Sequence, residues 1–234
     1  MEKLIDFFSD KEVHKIIDIG TGSGDFIKVL KDVFPKAQIT GIDPDKESLM
    51  EAAKKYPDVS FYEMSAEHLE FGENMFDLAS ISMALHHLPD IQKALKEMQR
   101  IVKPGGWIIV NELFSDNLNA AQEVHKMFHH FRSKIDRLTG VNHQETFVKK
   151  EIQRMIKNSG IRVLFDFENN NEANLIGESG ELEIRIDKMK QHLEKIKHLP
   201  EYDLFKPQIE DFRVEALKHG FQAATRIVIV GKPG

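Results

Sequence analysis

Asp18-Ile19-Gly20-Thr21-Gly22-Ser23-Gly24-Asp25 is the stretch on which the reading of this chain turns. The β-branched run Lys15–Ile19 leads into it. After it, Phe26, Ile27, Leu30, Val33 and Phe34 recur at helical steps, and Pro35 stops that helix. A strand, a glycine turn and a helix N-terminus in that order let the backbone approach a ligand closely and aim free N–H groups at it. A second carboxylate closes the next run, Gly41-Ile42-Asp43-Pro44-Asp45. Asp43 stands 19 residues beyond Gly24, the spacing at which an acidic side chain meets ribose hydroxyls. The expected ligand is therefore of adenosine type, held by Asp18, Gly20, Thr21, Gly22, Gly24, Asp43 and Pro44. The agreement of strand, loop, helix and distal carboxylate weighs against a tight turn with no ligand.

Glycine spacing narrows the ligand. In the dinucleotide fingerprint G-x-G-x-x-G the third glycine lets the helix pack closely and receive a pyrophosphate. Here the third glycine comes one position early, and Asp25 occupies the dinucleotide position, where a carboxylate repels phosphate. A nicotinamide dehydrogenase is disfavoured on that ground. Asp18 is placed instead to face a cation, such as an amino group or a sulfonium.

Outward from the loop, short apolar runs stand at Lys15–Ile19, Ala37–Ile42, Val59–Met64, Phe76–Ser82 and Trp107–Asn111, with Ile161–Phe167 and Thr225–Val230 making seven. Nearly continuous apolar strands are those covered on both faces. Helical periodicity fills the gaps, as in Ile91, Ala94, Leu95, Met98, Ile101 and Val102 behind a capping Asp90. Alternating strand and helix predicts an α/β fold with a mostly parallel sheet. Two stretches depart from the alternation. Asn117–Leu138 reads as one long helix. The segment opened by Glu168-Asn169-Asn170-Asn171-Glu172 holds two more, one marked by Leu182, Ile186, Met189, Leu193 and Ile196, the other by Ile209, Phe212, Ala216 and Leu217.

Composition bounds the function. The chain has 234 residues, which favours one domain or one domain with a large insertion. Its net charge of −6 makes nucleic acid a poor default partner. Cysteine is absent, which excludes disulfides, thiolate metal sites and cysteine nucleophiles. No apolar run approaches the ~20 residues needed to span a bilayer, and the N-terminus lacks a signal-peptide core. The expectation is a cytoplasmic protein with no membrane partner.

These residues resemble the class I S-adenosylmethionine-dependent methyltransferases. Asp18–Gly24 looks like their first motif, and Asp43 like the acidic residue that binds ribose. Ser65-Ala66-Glu67-His68-Leu69 resembles the segment at the adenine edge, and Phe76–Leu88 the fourth strand and its loop. Val102-Lys103-Pro104-Gly105-Gly106-Trp107 resembles the turn into the fifth strand. The likeness covers residues 13–112 and is greatest to the small-molecule branch that includes quinone-biosynthesis enzymes. It implies a seven-stranded, mostly parallel Rossmann-like sheet flanked by helices, with a helical cap or insertion. It implies S-adenosylmethionine as donor and S-adenosylhomocysteine as product, and it adds Ser65, Ala66, Glu67, Ser82, Met83 and His87 to the cofactor residues. Family members often carry aspartate where Ser65 stands.

The order of strands and helical stripes suggests a division of the chain: 1–112 as the binding core, 113–146 as cap helix, 147–167 as core helix and sixth strand, 168–223 as a lid or dimerisation insertion, and 224–234 as the last strand. Adduct chemistry through cysteine is excluded. The Asn/Asp-Pro-Pro-Tyr loop used on planar amino groups is replaced by Ser82-Met83-Ala84-Leu85. The expected acceptor is a small molecule methylated on O, S, C or aliphatic N. An RNA or protein methyltransferase, or a non-catalytic binding module, are the alternatives, and a homodimer is expected where the insertion serves as an interface rather than a lid.

The protein must align the acceptor, exclude water and, for a phenol or ammonium acceptor, remove a proton. His129, His130 and His143 are the candidates for orienting or deprotonating it. His125, His129, Arg132 and Asp136 share one stripe of the long helix, read most simply as its solvated face, or more sharply as a polar pocket wall. The His-x-x-x-His pair alone lacks a third ligand, so no metal is expected. Thr146 is expected to cap the next helix, and Glu112 to be a base or a salt-bridged rim residue.

Overall fold

The computed structural model describes residues 1–170, 173–176 and 180–234. Asn171 and Glu172, which close the polar run, lie outside the described residues. The chain forms α1 (Glu2–Phe8), β1 (Lys15–Ile19), α2 (Asp25–Val33), β2 (Gln38–Asp43), α3 (Lys46–Lys55), β3 (Ser60–Glu63) and β4 (Phe76–Ser82). A 3-10 turn, Leu85–His87, precedes α4 (Ile91–Ile101) and β5 (Val102–Leu113). Then come α5 (Ala120–Leu138), α6 (Lys149–Asn158), β6 (Arg162–Asn169), α7 (Glu181–Glu194), α8 (Tyr202–Phe205), α9 (Gln208–His219) and β7 (Arg226–Lys232).

The seven strands make one sheet in the order β3-β2-β1-β4-β5-β7-β6. The pairs β1/β2, β1/β4, β2/β3 and β4/β5 run parallel, and the sheet carries one antiparallel hairpin. The seven-stranded α/β reading therefore holds. The chain divides into two units: residues 1–112, 150–169 and 227–234 form the first, and residues 113–149 and 170–226 the second. No helix among the described residues is long and apolar enough to cross a membrane.

In the first unit, β1 and β4 are central and buried on both faces, which is why they read as unbroken apolar runs. Ile16, Leu78, Ile109 and Val228 pack with Phe26, Ile27 and Leu30 of α2 and with Leu4 and Phe8 of α1. Each such side chain contributes about 1.5–3 kcal/mol by leaving water. Asp90 caps α4 by accepting the Lys93 N–H at 2.9 Å. The fifth strand is longer than its apolar run predicts. Gly105, at φ +80°, and Gly106 let the Lys-Pro-Gly-Gly turn enter the strand as an irregularity opposite Asp77.

The second unit has its own core, built from Val124, Phe131 and Ile135 of α5, Ile186, Met189 and Leu193 of α7, and Phe212 and Ala216 of α9. The long helix begins at Ala120 rather than Asn117. Asn119 and Gln122 close a reciprocal capping box at its start, worth about 1 kcal/mol. Thr146 does not cap α6. Its hydroxyl pairs with His130 at 2.9 Å, and Asp116 accepts the Lys149 N–H at 2.9 Å instead.

Candidate functional site

The order of strands reverses between β1 and β4, and the glycine loop leaves the sheet at the end of β1. Such a switch point opens a crevice at the carboxyl ends of the strands. Asp18 pairs in register with Gly41 on one side and Ser80 on the other, so its carboxylate is buried by position. Ser80 Oγ donates to Asp18 Oδ1 at 2.7 Å, while Oδ2 has no hydrogen-bond partner among the described residues. Burial pushes this carboxyl up to about 6, against the pull of the Ser80 hydrogen bond.

The loop is shaped by two requirements on glycine. Gly20 lies at φ +66°, and a Cβ there would stand 2.6 Å from the Ala84 Cβ. Gly22, at φ +51°, faces open space within 4 Å of its Cβ direction, which leaves room for a ligand against the backbone. Thr21, buried, donates its N–H to the Ile42 carbonyl at 2.9 Å.

Asp43 Oδ2 accepts the Gly22 N–H and Oδ1 accepts the Asp45 N–H, each at 2.9 Å. Its carboxylate thus fastens the loop and keeps further lone pairs for a ligand's donors. Replacing Asp43 with Ala is expected to weaken S-adenosylhomocysteine binding roughly tenfold to hundredfold, the worth of hydrogen bonds to a charged group. Calorimetry checks this, and unchanged affinity would remove Asp43 from the site.

Pro44 joins Glu63, Met64, Ser65, His68 and Glu70 around a shallow depression of about 340 Å³. Ala66 is buried beside it. The Ser65 hydroxyl donates to Glu67 Oε2 at 2.7 Å, and Glu67 Oε1 accepts the Asp90 N–H at 3.3 Å. Ser65 and Glu67 therefore form one hydrogen-bonded turn tied to the start of α4.

At the end of β4, Ser82 Oγ accepts from Asn111 Nδ2 at 2.8 Å, and the Met83 N–H reaches the Asn111 carbonyl at 2.8 Å. Met83 sits at φ +54°, a left-handed conformation costing about 1–2 kcal/mol for a non-glycine residue. Strain of this kind concentrates at functional turns. Asn111 is fully buried and its Oδ1 has no partner among the described residues. Sequence reading missed Asn111, because a lone asparagine ending an apolar strand carries no motif.

The histidine pair divides its roles. His86 is buried and its Nδ1 lies 3.0 Å from Glu112 Oε1, while Oε2 accepts the Leu85 N–H at 2.9 Å. His87 is exposed, its ring 4.3 Å from that of His86. Glu112 is not a rim residue: it is fully buried and organises the turn after β4.

Within the second unit the α5 stripe is not a solvated face. His125 is half-buried with its ring against Phe221, and desolvation, with the charges of Arg185 and Arg226, pushes its imidazole down to about 4. Asp136 is buried and central to a cluster. Its Oδ2 lies 2.7 Å from His143 Nδ1 and its Oδ1 2.6 Å from His192 Nε2, with Lys195 Nζ at 3.5 Å. Burial pushes the Asp136 carboxyl up, but hydrogen bonds from His143 and His192, with the charges of His192 and Lys195, outweigh it and hold it far below the usual range. His143 Nε2 in turn lies 3.3 Å from His129 Nε2.

His130 stands apart from this cluster. Its Nδ1 lies 3.1 Å from Glu145, and its Nε2 accepts the Thr146 N–H at 3.3 Å. Burial pushes its pKa down. Of the three imidazoles expected at the acceptor, the structure joins His129 and His143 and engages His130 elsewhere. His192 escaped notice because it lies 56 residues from Asp136 in sequence.

Residues 17–110 match the model of the methyltransferase domain family. The demethylmenaquinone methyltransferase of Chlorobaculum parvum is 29% identical over 133 residues, 57% of this chain and 54% of that protein. The ubiquinone/menaquinone biosynthesis C-methyltransferase UbiE of Bdellovibrio bacteriovorus is 32% identical over 121 residues, 50% of this chain and 52% of that one. The chain thus spans about half the length of the curated relatives it matches.

Among solved structures, the YcgJ protein of Bacillus subtilis superposes with a TM-score of 0.62 at 17% identity, covering 100% of this chain and 97% of its own. The cyclase SpnF gives 0.60 at 18% identity, covering 99% and 80%. At such identity the likeness is of fold, and a fold shared with a cyclase leaves the reaction to be argued from the site.

Proposed function

Residues 17–110 are a class I S-adenosylmethionine-dependent methyltransferase domain, and from that premise we propose that the chain transfers a methyl group to a small-molecule acceptor. The observation that carries this reading is the buried Asp18 carboxylate, whose Oδ2 has no partner among the described residues at the head of an open glycine loop. A buried carboxylate of that kind has acceptor capacity left for a ligand, and a cationic amino group is the donor that suits it. Asn111 Oδ1 is a second buried acceptor in the same unit awaiting one.

S-adenosylmethionine supplies, when bound, a methyl group already activated on a sulfonium. The work left to the protein is holding, aligning and drying. Asp18 holds the cation. Gly20, Thr21, Gly22 and Gly24 let the backbone lie against the ligand, and Asp43, with Pro44 beside it, takes the ribose hydroxyls. Ser65, Ala66 and Glu67 border adenine, and Ser82, Met83 and His87 line the turn after β4. His143 and His129 orient the acceptor and take its proton, an effect of about 10²–10⁴-fold in such reactions.

The relatives above are named for quinone-biosynthesis chemistry, which makes a hydroquinone the first acceptor to try. Calorimetry with S-adenosylmethionine, S-adenosylhomocysteine and NAD tests the premise of binding. Micromolar affinity for the two adenosyl ligands and none for NAD is the expected result, and silence from both adenosyl ligands would overturn the proposal. Release of S-adenosylhomocysteine in the presence of 1,4-naphthohydroquinone then tests turnover. His143→Ala is expected to lower turnover about 10²–10⁴-fold with ligand affinity within twofold. Full turnover in that variant would remove His143 from the reaction.

A further inference from the structure

Asp136 is a buried carboxylate with two imidazoles on it. His143 comes to it from the loop after α5 and His192 from α7. We propose that Asp136 is the positioning residue of the imidazole pair His143–His129, and that His192 is the second arm that fixes it. The inference deepens the reading of His143 and His129 as proton acceptors and rests on it.

An ionised carboxylate accepts only, so both imidazole nitrogens facing Asp136 must carry hydrogen. That fixes His143 with its proton on Nδ1 and its electron pair on Nε2. His129 Nε2 lies 3.3 Å from that nitrogen and donates its own N–H to the electron pair. One carboxylate thereby sets the tautomers of two rings in series, Asp136 to His143 to His129. The same carboxylate favours the positive charge that the pair acquires when it takes up a proton.

His192 and Lys195 complete the arrangement. With one Asp136 oxygen on His192 and the other on His143, the carboxylate plane has no rotational freedom to release either ring. Lys195 adds charge at 3.5 Å from Oδ1. From the other side, Arg137 donates to the His143 carbonyl at 2.9 Å and to Glu145 at 3.0 Å, which holds the loop carrying His143. The charged groups facing the cluster include His192 from α7, Lys195 just beyond its end, Arg137 from α5, and Glu145, also engaged with His130, from the loop.

The chemical step balances without another reactant. The acceptor X–H gives its proton to His129 Nδ1 as His129 Nε2–H passes its own to His143 Nε2, the acceptor's electron pair forms the new X–CH₃ bond, and the departing sulfur keeps the electrons of the broken bond. Asp136 stays ionised throughout and stabilises the imidazolium through the His143 Nδ1–H.

The test reads the rings directly. Long-range ¹H–¹⁵N spectra of the full chain are expected to show His143 as the Nδ1–H tautomer through pH 6–8. Asp136→Asn is expected to shift the His143 titration midpoint down by at least one pH unit while S-adenosylhomocysteine affinity stays within twofold. His192→Gln keeps an N–H for Asp136 and is expected to preserve the His143 tautomer. With 1,4-naphthohydroquinone as acceptor, Asp136→Asn lowers kcat by about a hundredfold or more, leaves KM unchanged and moves the ascending limb of the pH profile.

A wild-type His143 protonated on Nε2 would overturn the proposal, and that readout stands even where Asp136→Asn fails to fold. An Asp136→Asn protein with unmoved midpoint and pH profile would also overturn it. Failure of the wild type to bind S-adenosylhomocysteine would sink the methyltransferase reading instead, so the two failures are distinguishable.

Discussion

Replacing Asp18 with Asn is expected to weaken S-adenosylhomocysteine binding by about tenfold to hundredfold and, at the same time, to stabilise the empty protein. The two effects share one cause. Asp18 is held at about 6 by burial, against an ordinary value of 3.8, and each pH unit of that difference is about 1.4 kcal/mol. The ionised side chain therefore costs the empty fold up to about 3 kcal/mol at neutral pH. Asparagine keeps the acceptor for the Ser80 hydroxyl and removes the charge, so urea midpoints at pH 7.5 should rise. The same removal takes away the partner for a cationic amino group, worth about 1.5–3 kcal/mol in a charged hydrogen bond.

The pH dependence has a definite sign. A carboxyl whose folded value lies above its unfolded value adds stability below about pH 4, and that contribution is lost as pH rises through about 6. Ligand affinity runs the other way, because the cation needs the carboxylate. It should fall by up to tenfold per unit as pH drops below about 6. Affinity flat from pH 5 to 8, or an Asp18→Asn protein that binds normally, would end the assignment of Asp18 to a cation.

Glu112→Ala is the second large effect, expected to destabilise the protein by about 3–5 kcal/mol. Glu112 is fully buried and is the acceptor for two donors at once, the Leu85 N–H and His86 Nδ1. Alanine leaves both without that acceptor in a site closed to water, and adds a void where the carboxylate stood. For a chain of this length the melting temperature should drop by about 6–20 °C. Glu112→Gln, which keeps an acceptor oxygen, should lose well under half as much. Scanning calorimetry separates the two variants, and equal small losses in both would show that the buried pair contributes little. The turn built on this pair also carries Ala84, which stands against Gly20, so Glu112→Ala should weaken S-adenosylhomocysteine binding as well.

The parts of this protein legible in its sequence are those set by neighbours in sequence. The glycine loop between β1 and α2, the helix capped by Asp90 and the seven apolar runs each follow from periodicity or turn chemistry within a dozen residues. The order of those elements then leaves few topologies, because parallel strands need crossovers of one hand. Fold and the ligand-facing role expected of Asp18 could be argued at that level.

The tertiary structure decided which polar groups meet. Whether the α5 stripe faces solvent depends on α7 and α9, tens of residues away, and their packing buries Asp136 with His192 against it. Whether Glu112 is a rim charge or a buried anchor depends on the turn after β4, which folds back onto β5 across a sequence separation of 26. His130 and His129 are adjacent in sequence, yet one is held by Glu145 and Thr146 and the other meets His143. A helix turns 100° between such neighbours, so sequence places them on different faces without saying what waits there. Periodicity determines what a residue's own element is. Only long-range packing determines its partners, and with them the charge, tautomer and availability of every imidazole in this chain.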